Sequence, residues 1–301
     1  MRYFFLFFML VGPFAPAILA QSPYLPFNRD YYSLLERYEI KNGAFNDSFH
    51  TGSKPYQKAN IVRFLEKYKE GTDFLSKKDE FNLNYLLQDN WEYATESLPL
   101  SEKSIGKHVY RRPSDFYYFR NDDFDVHVNP VLYFQGGMEA DSDRTPFRNT
   151  RGVAVHGSID NKIGFYSMLG TTDLMFPSWV NSYVGSHGAI PGQGFWKRYG
   201  DGGYSFFSAR GHLSFAATKH VKVQMGHDSH FIGEGLRSFV LSDFSNPFLF
   251  VKINTKIGKV DFTNLWGQMT ADILTSRGVP TDGRYPQKWF SFHRLGVNLG
   301  K

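Results

Sequence analysis

The spacing of apolar residues follows a helical period from position 28 to position 94 and predicts three short amphipathic helices. Their apolar faces comprise Leu34, Leu35 and Tyr38, then Ile61, Phe64, Leu65 and Tyr68, and then Leu83, Leu86, Leu87 and Trp91. Ser76 and Asp79 are spaced as in a capping box, which predicts that the third helix begins just after Ser76. This part of the chain is therefore expected to form a small helical region.

After about Asp122 the apolar residues recur at every second position, and this alternation continues to the end of the chain. It predicts eight strands, near 126–134, 153–159, 163–169, 207–215, 221–225, 249–257, 260–271 and 295–299. Each strand has one apolar face and one polar face, and the polar faces carry Lys, Arg and His. Such faces suit a hydrated lumen better than a packed core.

The predicted connections between these strands alternate in length. Turns of about two residues lie at 160–161, 219–220 and 258–259, whereas the other connections span about 12, 32, 17 and 15 residues, at 138–149, 172–203, 230–246 and 273–287. Short turns at one end and long loops at the other are typical of an outer-membrane β-barrel. A soluble β-sandwich shares the alternation but does not require this segregation of loop lengths. The chain ends on Leu299, Gly300 and Lys301, which repeat the turn at 257–259 and indicate that the barrel is incomplete.

The first 20 residues resemble a secretory signal peptide, with Arg2 followed by an apolar run and small residues before Gln21. We therefore predict a signal peptide at 1–20, a periplasmic helical region at 21–121 and a partial antiparallel outer-membrane β-barrel at 122–301. The expected location is the outer membrane of a Gram-negative cell, with membrane lipid as one partner. With no Cys among 301 residues, disulfides and thiolate metal sites are excluded.

Composition adds little evidence for a charged partner. The net charge is +5, but no run of basic residues exceeds two, and no nucleic-acid motif is present. Aromatic residues make up 18% of the chain, and 28 glycines accompany them, as in a sheet with many turns. We expect no nucleic-acid partner and no cofactor.

The segment at 226–243, GHDSHFIGEGLRSFVLSD, differs from an ordinary strand or loop. Two glycines permit unusual backbone conformations, and Arg237 offers a fork of donors suited to a carboxylate. This segment resembles the FIGxGxRSxxLSD signature of the capsule-assembly Wzi family and of the gliding-motility RemB-like proteins of Bacteroidetes, the RemB-like branch being the closer. Supporting segments are ERYEIKNG at 36–43, KPY at 54–56, VNPVLYF at 128–134, RGVAVHGSIDNKIGFY at 151–166 and FHRLGVNL at 292–299.

The resemblance implies a periplasmic helical portion and an outer-membrane barrel that acts at the cell surface in polysaccharide attachment or motility, without catalysis. Carried over by residue, the signature places possible glycan-binding or loop-shaping roles on Phe231, Gly233, Gly235, Arg237, Ser238, Ser242 and Asp243. The long loop at 172–203 supplies aromatic residues that could stack on sugars or plug the lumen, namely Trp179, Tyr183, Trp196 and Tyr199.

Catalytic and metal sites find weaker support in the sequence. His227 and His230 are three positions apart, so in a strand they point to opposite faces and do not converge on one metal. Acidic residues near the first strand could form a glycosidase pair, but nothing constrains the choice. We therefore predict no catalytic residue and no metal, and a non-enzymatic surface protein that binds polysaccharide or supports gliding motility and adhesion. The alternatives are a porin for small solutes and, with less support, a secreted carbohydrate-active enzyme.

Overall fold

The computed structural model describes residues 21–72, 75–101, 104–105, 108–140, 144–194, 196–270 and 287–299. The predicted signal peptide at 1–20, most of the predicted connection at 273–287 and the last two residues of the predicted final turn lie outside these ranges. Within them, no helix combines the length and apolar character needed to cross a membrane.

Three helices form the helical region, as the apolar spacing predicts. They are α1 (Arg29–Asn42), α2 (Lys58–Glu70) and α3 (Lys77–Gln88), followed by a 3₁₀ turn at Trp91–Tyr93. Asn28 caps α1 by accepting from the amides of Asp30 and Tyr31. The Ser76 hydroxyl accepts from the amide of Asp79, so the predicted start of α3 is confirmed. The helices share one apolar core, which includes Tyr32, Leu35, Tyr38, Ile61, Leu65, Leu83 and Leu86.

Twelve strands are present among the described residues, and all eight predicted strands are confirmed. In chain order they are β1 (Ser53–Lys54), β2 (Tyr117–Arg120), β3 (Phe124–Gly136), β4 (Phe147–Ile159), β5 (Ile163–Met175), β6 (Lys197–Tyr199), β7 (Gly203–Ala216), β8 (Val221–Asp228), β9 (Phe231–Ile232), β10 (Phe248–Ile257), β11 (Val260–Thr270) and β12 (Gln287–Val297). A fourth helix, α4 (Ser178–His187), lies in the connection between β5 and β6.

Ten of these strands form one antiparallel sheet in the order β12, β11, β10, β8, β7, β5, β4, β3 and β2, with β6 paired to β7. Neighbouring long strands are consecutive along the chain or separated only by a short strand, as in a meander. Within the described ranges, β12 and β2 lie at opposite edges and do not pair, so the sheet is open there. The chain is thus mainly β and antiparallel after a helical region, while a closed membrane barrel stays a prediction.

The connections segregate by length as the sequence predicts. Asp160 and Asn161 have positive φ values of 52° and 49°, which gives the two-residue turn between β4 and β5 the backbone form common in hairpins. The turns after β7 and β10 lie at the same end of the sheet as this one, because antiparallel strands alternate in direction. The long connections at 137–146, 176–202 and 229–247 lie at the other end, which we call the loop end.

The two faces of the sheet differ in both chemistry and exposure. One face is apolar, and its side chains are exposed: Leu132, Phe134, Val153, Leu169, Phe207, Leu213, Met225, Leu249, Val251, Phe262, Trp266, Leu295 and Val297. The opposite face carries buried polar side chains, including His127, His212, Gln224, Lys252 and Thr263. We call this second surface the polar face.

The helical region packs on the polar face, so this face is covered rather than hydrated throughout. The Tyr24 amide donates to His212 Nε2 at 3.1 Å, and the Ser214 hydroxyl donates to the carbonyl of Ser22. Gly164 provides the close approach that this packing needs, because a Cβ there would lie 2.7 Å from the Pro23 nitrogen. The helical region and the sheet therefore form one packed unit.

Candidate functional site

The connection at 229–247 folds inward over the polar face at the loop end. Its strand β9 pairs with β1 of the helical region, which places Ser53 opposite Ile232 and Lys54 opposite Phe231. Ile232 and Leu241 pack with Phe248, Phe250 and Leu265 of the sheet. This connection therefore ties the helical region, the loop end and strands β10 and β11 together.

Several residues of the signature-like segment hold the shape of this connection. Phe231 is buried, and its ring stacks on Phe27 with centroids 5.3 Å apart. The Ser238 hydroxyl donates to the Ile232 carbonyl and accepts from the Val240 amide. Gly233 has a φ of 143°, and a Cβ there would lie 2.7 Å from Ser238 Oγ. Phe231, Gly233 and Ser238 thus form the closed base of the loop.

The remaining residues of the segment are more exposed. Gly235 has a φ of 86° and begins an exposed tip that contains Leu236, Arg237, Phe239 and Val240. Ser242 accepts from the Phe244 amide at 3.1 Å, and Asp243 is exposed. The side chain of Arg237 forms no hydrogen bond or ion pair with the described part of the chain. The tip therefore presents apolar side chains beside a guanidinium group that is open to solvent.

The aromatic residues predicted in the 172–203 loop divide between exposed and packed positions. Trp179 on α4 is 74% exposed and Tyr199 on β6 is 44% exposed. Trp196 packs against Tyr204 with centroids 4.7 Å apart, and its Nε1 donates to the Gly188 carbonyl. Tyr183 stacks on His187 at 3.9 Å between centroids. Trp179 is thus open to solvent, Tyr199 lies edge-on to Phe147 at 6.3 Å between centroids, and Trp196 and Tyr183 stabilise the loop.

The two long connections contact each other at the loop end. The Gly192 amide donates to the Phe244 carbonyl at 3.1 Å, and the Tyr183 ring meets the Phe244 ring edge-on at 5.6 Å. Beneath them, Gln193 accepts from the Ser208 hydroxyl on the polar face. We call the exposed residues Trp179, Tyr199, Arg237, Phe239 and Asp243 the loop-end surface.

A network of buried charges joins the helical region to the middle of the polar face. Lys58 on α2 places its Nζ 2.5 Å from Glu92 Oε1 and 2.9 Å from His156 Nε2 on β4. Burial lowers the pKa of Lys58, but the Glu92 and Asp89 carboxylates outweigh it and hold the pKa above its ordinary value. Burial raises the pKa of Glu92, but the adjacent Lys58 ammonium outweighs it and holds that pKa well below 4.5. The pair is therefore ionised at neutral pH.

The histidine His127 on β3 extends this network. Its Nδ1 lies 2.8 Å from Asp115 Oδ2, and its Nε2 lies 3.0 Å from Asp125 Oδ1. Because a carboxylate only accepts hydrogen bonds, both ring nitrogens donate, and the ring carries a positive charge. The ring stacks on His156, with centroids 4.7 Å apart, and the Trp91 indole donates to Asp115 at 2.6 Å.

This network does not offer a free metal site. Among the described residues, Glu92, His127 and His156 form the group whose ligand atoms come within 4.8 Å of one another. However, both nitrogens of His127 face carboxylates, and the Lys58 ammonium already lies against Glu92 and His156. A lysine thus supplies the positive charge that a metal ion would bring. His227 and His230 do not converge either, because His227 is exposed and His230 is buried against Phe250.

Most of this network was not predicted from the sequence. His127 and His156 are direct partners in the register of β3 and β4, and each occupies a polar position in an alternating strand. These polar positions could have identified the two histidines as neighbours. Lys58 and Glu92, however, lie in another part of the sequence and resemble ordinary charged residues of a helical region. No local spacing connects them to the strands.

Comparisons with known proteins do not extend the assignment: no protein-family model, curated protein or solved structure matches this chain. The resemblance to the capsule-assembly Wzi and RemB-like families therefore stays a prediction.

Proposed function

We propose that this chain is a non-enzymatic outer-membrane surface protein that holds polysaccharide, or an adhesion partner, at its loop-end surface. The observation that carries the proposal is the arrangement of the two sheet faces. The apolar face is exposed across eight strands, whereas the polar face is covered by the chain's own helical region. A soluble protein of this size would bury its apolar face, since exposed apolar patches larger than a few hundred Å² are rare.

Lipid is the partner that suits the apolar face. All of the long strands except β8 have 10 to 14 residues, and a tilted strand of about 9–11 residues spans a bilayer. Phe134 and Trp289 lie on the exposed face toward the loop end, and Phe124 lies toward the other end. Aromatic residues near both ends of the lipid-facing surface are a feature of membrane strands. These features support lipid contact for the centre of the face.

The loop-end surface supports binding of a saccharide. Trp179 and Phe239 provide exposed aromatic rings, and sugar rings stack on such faces. Arg237 adds donors that suit a carboxylate on an acidic sugar. Polysaccharide held there would remain outside the membrane, because the long connections lie at the end opposite the short turns.

The covered polar face supports attachment over transport. A porin needs a continuous aqueous path along its polar strand faces. Here Tyr24, Lys58 and the connection at 229–247 occupy that side of the sheet. We therefore expect the reconstituted protein to give no steady conductance in planar bilayers.

The decisive experiment is a deletion strain of the source organism, complemented with the wild-type gene or with an Arg237→Ala, Phe239→Ser double variant. We expect deletion to move surface polysaccharide from cells to medium at constant total, and the double variant to restore the protein but not retention. Lys259→Met, at the opposite end of the sheet, is the control and should restore retention. Unchanged retention and unchanged colony spreading in the deletion strain would contradict the proposal.

Membrane location is tested separately. The protein should partition with outer membranes, require detergent for extraction and shift its gel mobility on heating. Recovery in a soluble fraction with turnover of a glycan would instead support a secreted enzyme.

A further inference from the structure

A cavity of about 610 Å³ lies between the helical region and the polar face, toward the short-turn end of the sheet. Its walls include α2 and the segment before it on one side, and strands β8 and β10 on the other. Its volume is in the range of small-molecule sites in proteins. The cavity is distinct from the loop-end surface, which lies at the opposite end of the strands.

Five Lys and Arg side chains line this cavity: Arg63 on α2, Lys219 in the turn after β7, Lys222 on β8, and Lys252 and Lys256 on β10. Lys222 is the register partner of Asn254, so it lies diagonally next to both Lys252 and Lys256 on the same face. Diagonal neighbours in a sheet lie about 7–8 Å apart. Lys222 therefore lies between Lys252 and Lys256, and the three lysines form a row of positive charge on this face.

None of these five cations forms an ion pair with the described residues. Lys222 donates to the Gln57 side-chain carbonyl, and Lys256 donates to the backbone carbonyl of Asp47. Lys252 is only 3% exposed and makes no hydrogen bond within the described ranges, and its ammonium lies 5.2 Å from the centre of the Tyr24 ring. A buried ammonium without an ion-pair contact is unfavourable, in contrast to Lys58 with its Glu92 partner.

Two of the four acidic residues that line the cavity are paired with cations, and within the described ranges the other two, Asp261 and Glu66, accept hydrogen bonds only from neutral groups. Asp261 accepts from Asn254, Asp47 pairs with Lys67, Glu66 accepts from Thr95, and Glu92 pairs with Lys58. The cavity thus contains more unpaired positive than negative charge, together with room for a bound group.

We propose that this cavity binds a carboxylate or phosphate group of a sugar-sized anionic ligand, with Lys252 as the central contact and Lys222, Lys256 and Arg63 around it. Charge-assisted hydrogen bonds to such oxygens are among the strongest that side chains form. The site lies apart from the loop-end surface, so this inference goes beyond the proposed function, and either can fail without the other.

The test is calorimetric titration of the full chain in detergent micelles at low salt, with inorganic phosphate, glucuronate and glucose as separate probes. We expect glucuronate or phosphate to bind with a Kd below about 10 mM, while neutral glucose does not. Binding of phosphate alone would identify a phosphate-bearing ligand, and binding of glucuronate alone an acidic sugar. Lys252→Met should weaken binding about tenfold or more.

Two further variants keep the test decisive. Lys259→Met removes the same charge from an exposed turn at the same end of the sheet and should leave binding unchanged. Lys222→Met replaces Lys252→Met if the latter fails to fold by circular dichroism. The inference is overturned if neither anion binds, if glucose binds as tightly as glucuronate, or if Lys259→Met weakens binding as much as the cavity variants do.

Discussion

The Lys58–Glu92 pair gives a quantitative test of how the helical region is held on the sheet. Its side chains are 5% and 1% exposed, and the charged atoms are 2.5 Å apart. Glu92→Gln would leave the buried Lys58 ammonium without its ion-pair partner, and so would remove about 3–5 kcal/mol from the free energy of unfolding. Lys58→Met would leave Glu92 uncompensated and should cost a similar amount.

The double variant separates the pair from its surroundings. Removing both charges leaves no uncompensated ion, so it should cost less than the sum of the single variants by about 2–3 kcal/mol. The measurement is urea unfolding in detergent micelles followed by tryptophan fluorescence, because Trp91 donates to Asp115 within the same network. Lys67 and Asp47, which are 72% and 79% exposed at 3.2 Å, form the control pair and should show a coupling of about 0.5 kcal/mol or less.

The same pair makes a prediction for pH. The pKa of Glu92 is lowered by folding from its usual 4.5, so its contribution is complete above about pH 4.5 and is lost as the pH falls toward the folded value. The loss of unfolding free energy caused by Glu92→Gln should therefore be constant near neutral pH and should become smaller in acid. If the effects of the two single variants add within about 0.5 kcal/mol in the double variant, the two charges are not coupled and this prediction is wrong.

Three other predictions concern separate parts of the chain. Hydrogen bonds from Lys41 and Ser76 lower the pKa of Asp79 from 3.8 to about 2. Asp79→Asn should therefore lower the urea midpoint at pH 6, and the difference should vanish as the pH falls from 3.8 to 2. If the exposed face contacts lipid, Leu169→Arg at the centre of β5 should lower the free energy of unfolding in vesicles by about 2–4 kcal/mol. Ile163→Arg at the end of β5 should lower it by about 0–1 kcal/mol. Equal losses of stability in the two variants would argue against a membrane. Phe231→Ala should lower the free energy of unfolding by about 3–5 kcal/mol because the ring is buried. Arg237→Ala should leave the unfolding midpoint unchanged and lower only polysaccharide retention. A large loss of stability in Arg237→Ala would contradict its assignment to a binding surface.

Local sequence patterns predict most of the secondary structure because they depend on neighbouring residues. The alternation in β3, β4 and β5, the turn at Asp160 and the cap at Ser76 each follow from a few adjacent positions. The structure adds α4, which the pattern does not predict. Its ten residues include Ser, Asn, Val and Gly, which are poor helix formers, and burial of Val184 against Leu174 and Phe206 supports it instead.

Contacts between distant parts of the chain were beyond sequence reasoning. The alternation identifies a polar strand face but does not identify what covers it. The pairing of Lys54 with Phe231 joins two strands of only two residues each, too short for any period to be recognised. The loop-end surface likewise required the observation that Arg237 projects outward while Phe231, in the same segment, is buried.

The packing of the amino-terminal residues on the sheet also determines the order in which the protein can fold. Tyr24 bonds to a residue 188 positions later, and His50 lies 2.9 Å from Arg294, 244 positions later. Contacts of such sequence separation slow folding, because the chain must close large loops before these contacts stabilise it. The helical region is synthesised first, yet its sheet-facing side is complete only when β12 has paired. Until then its sheet-facing polar surface remains uncovered.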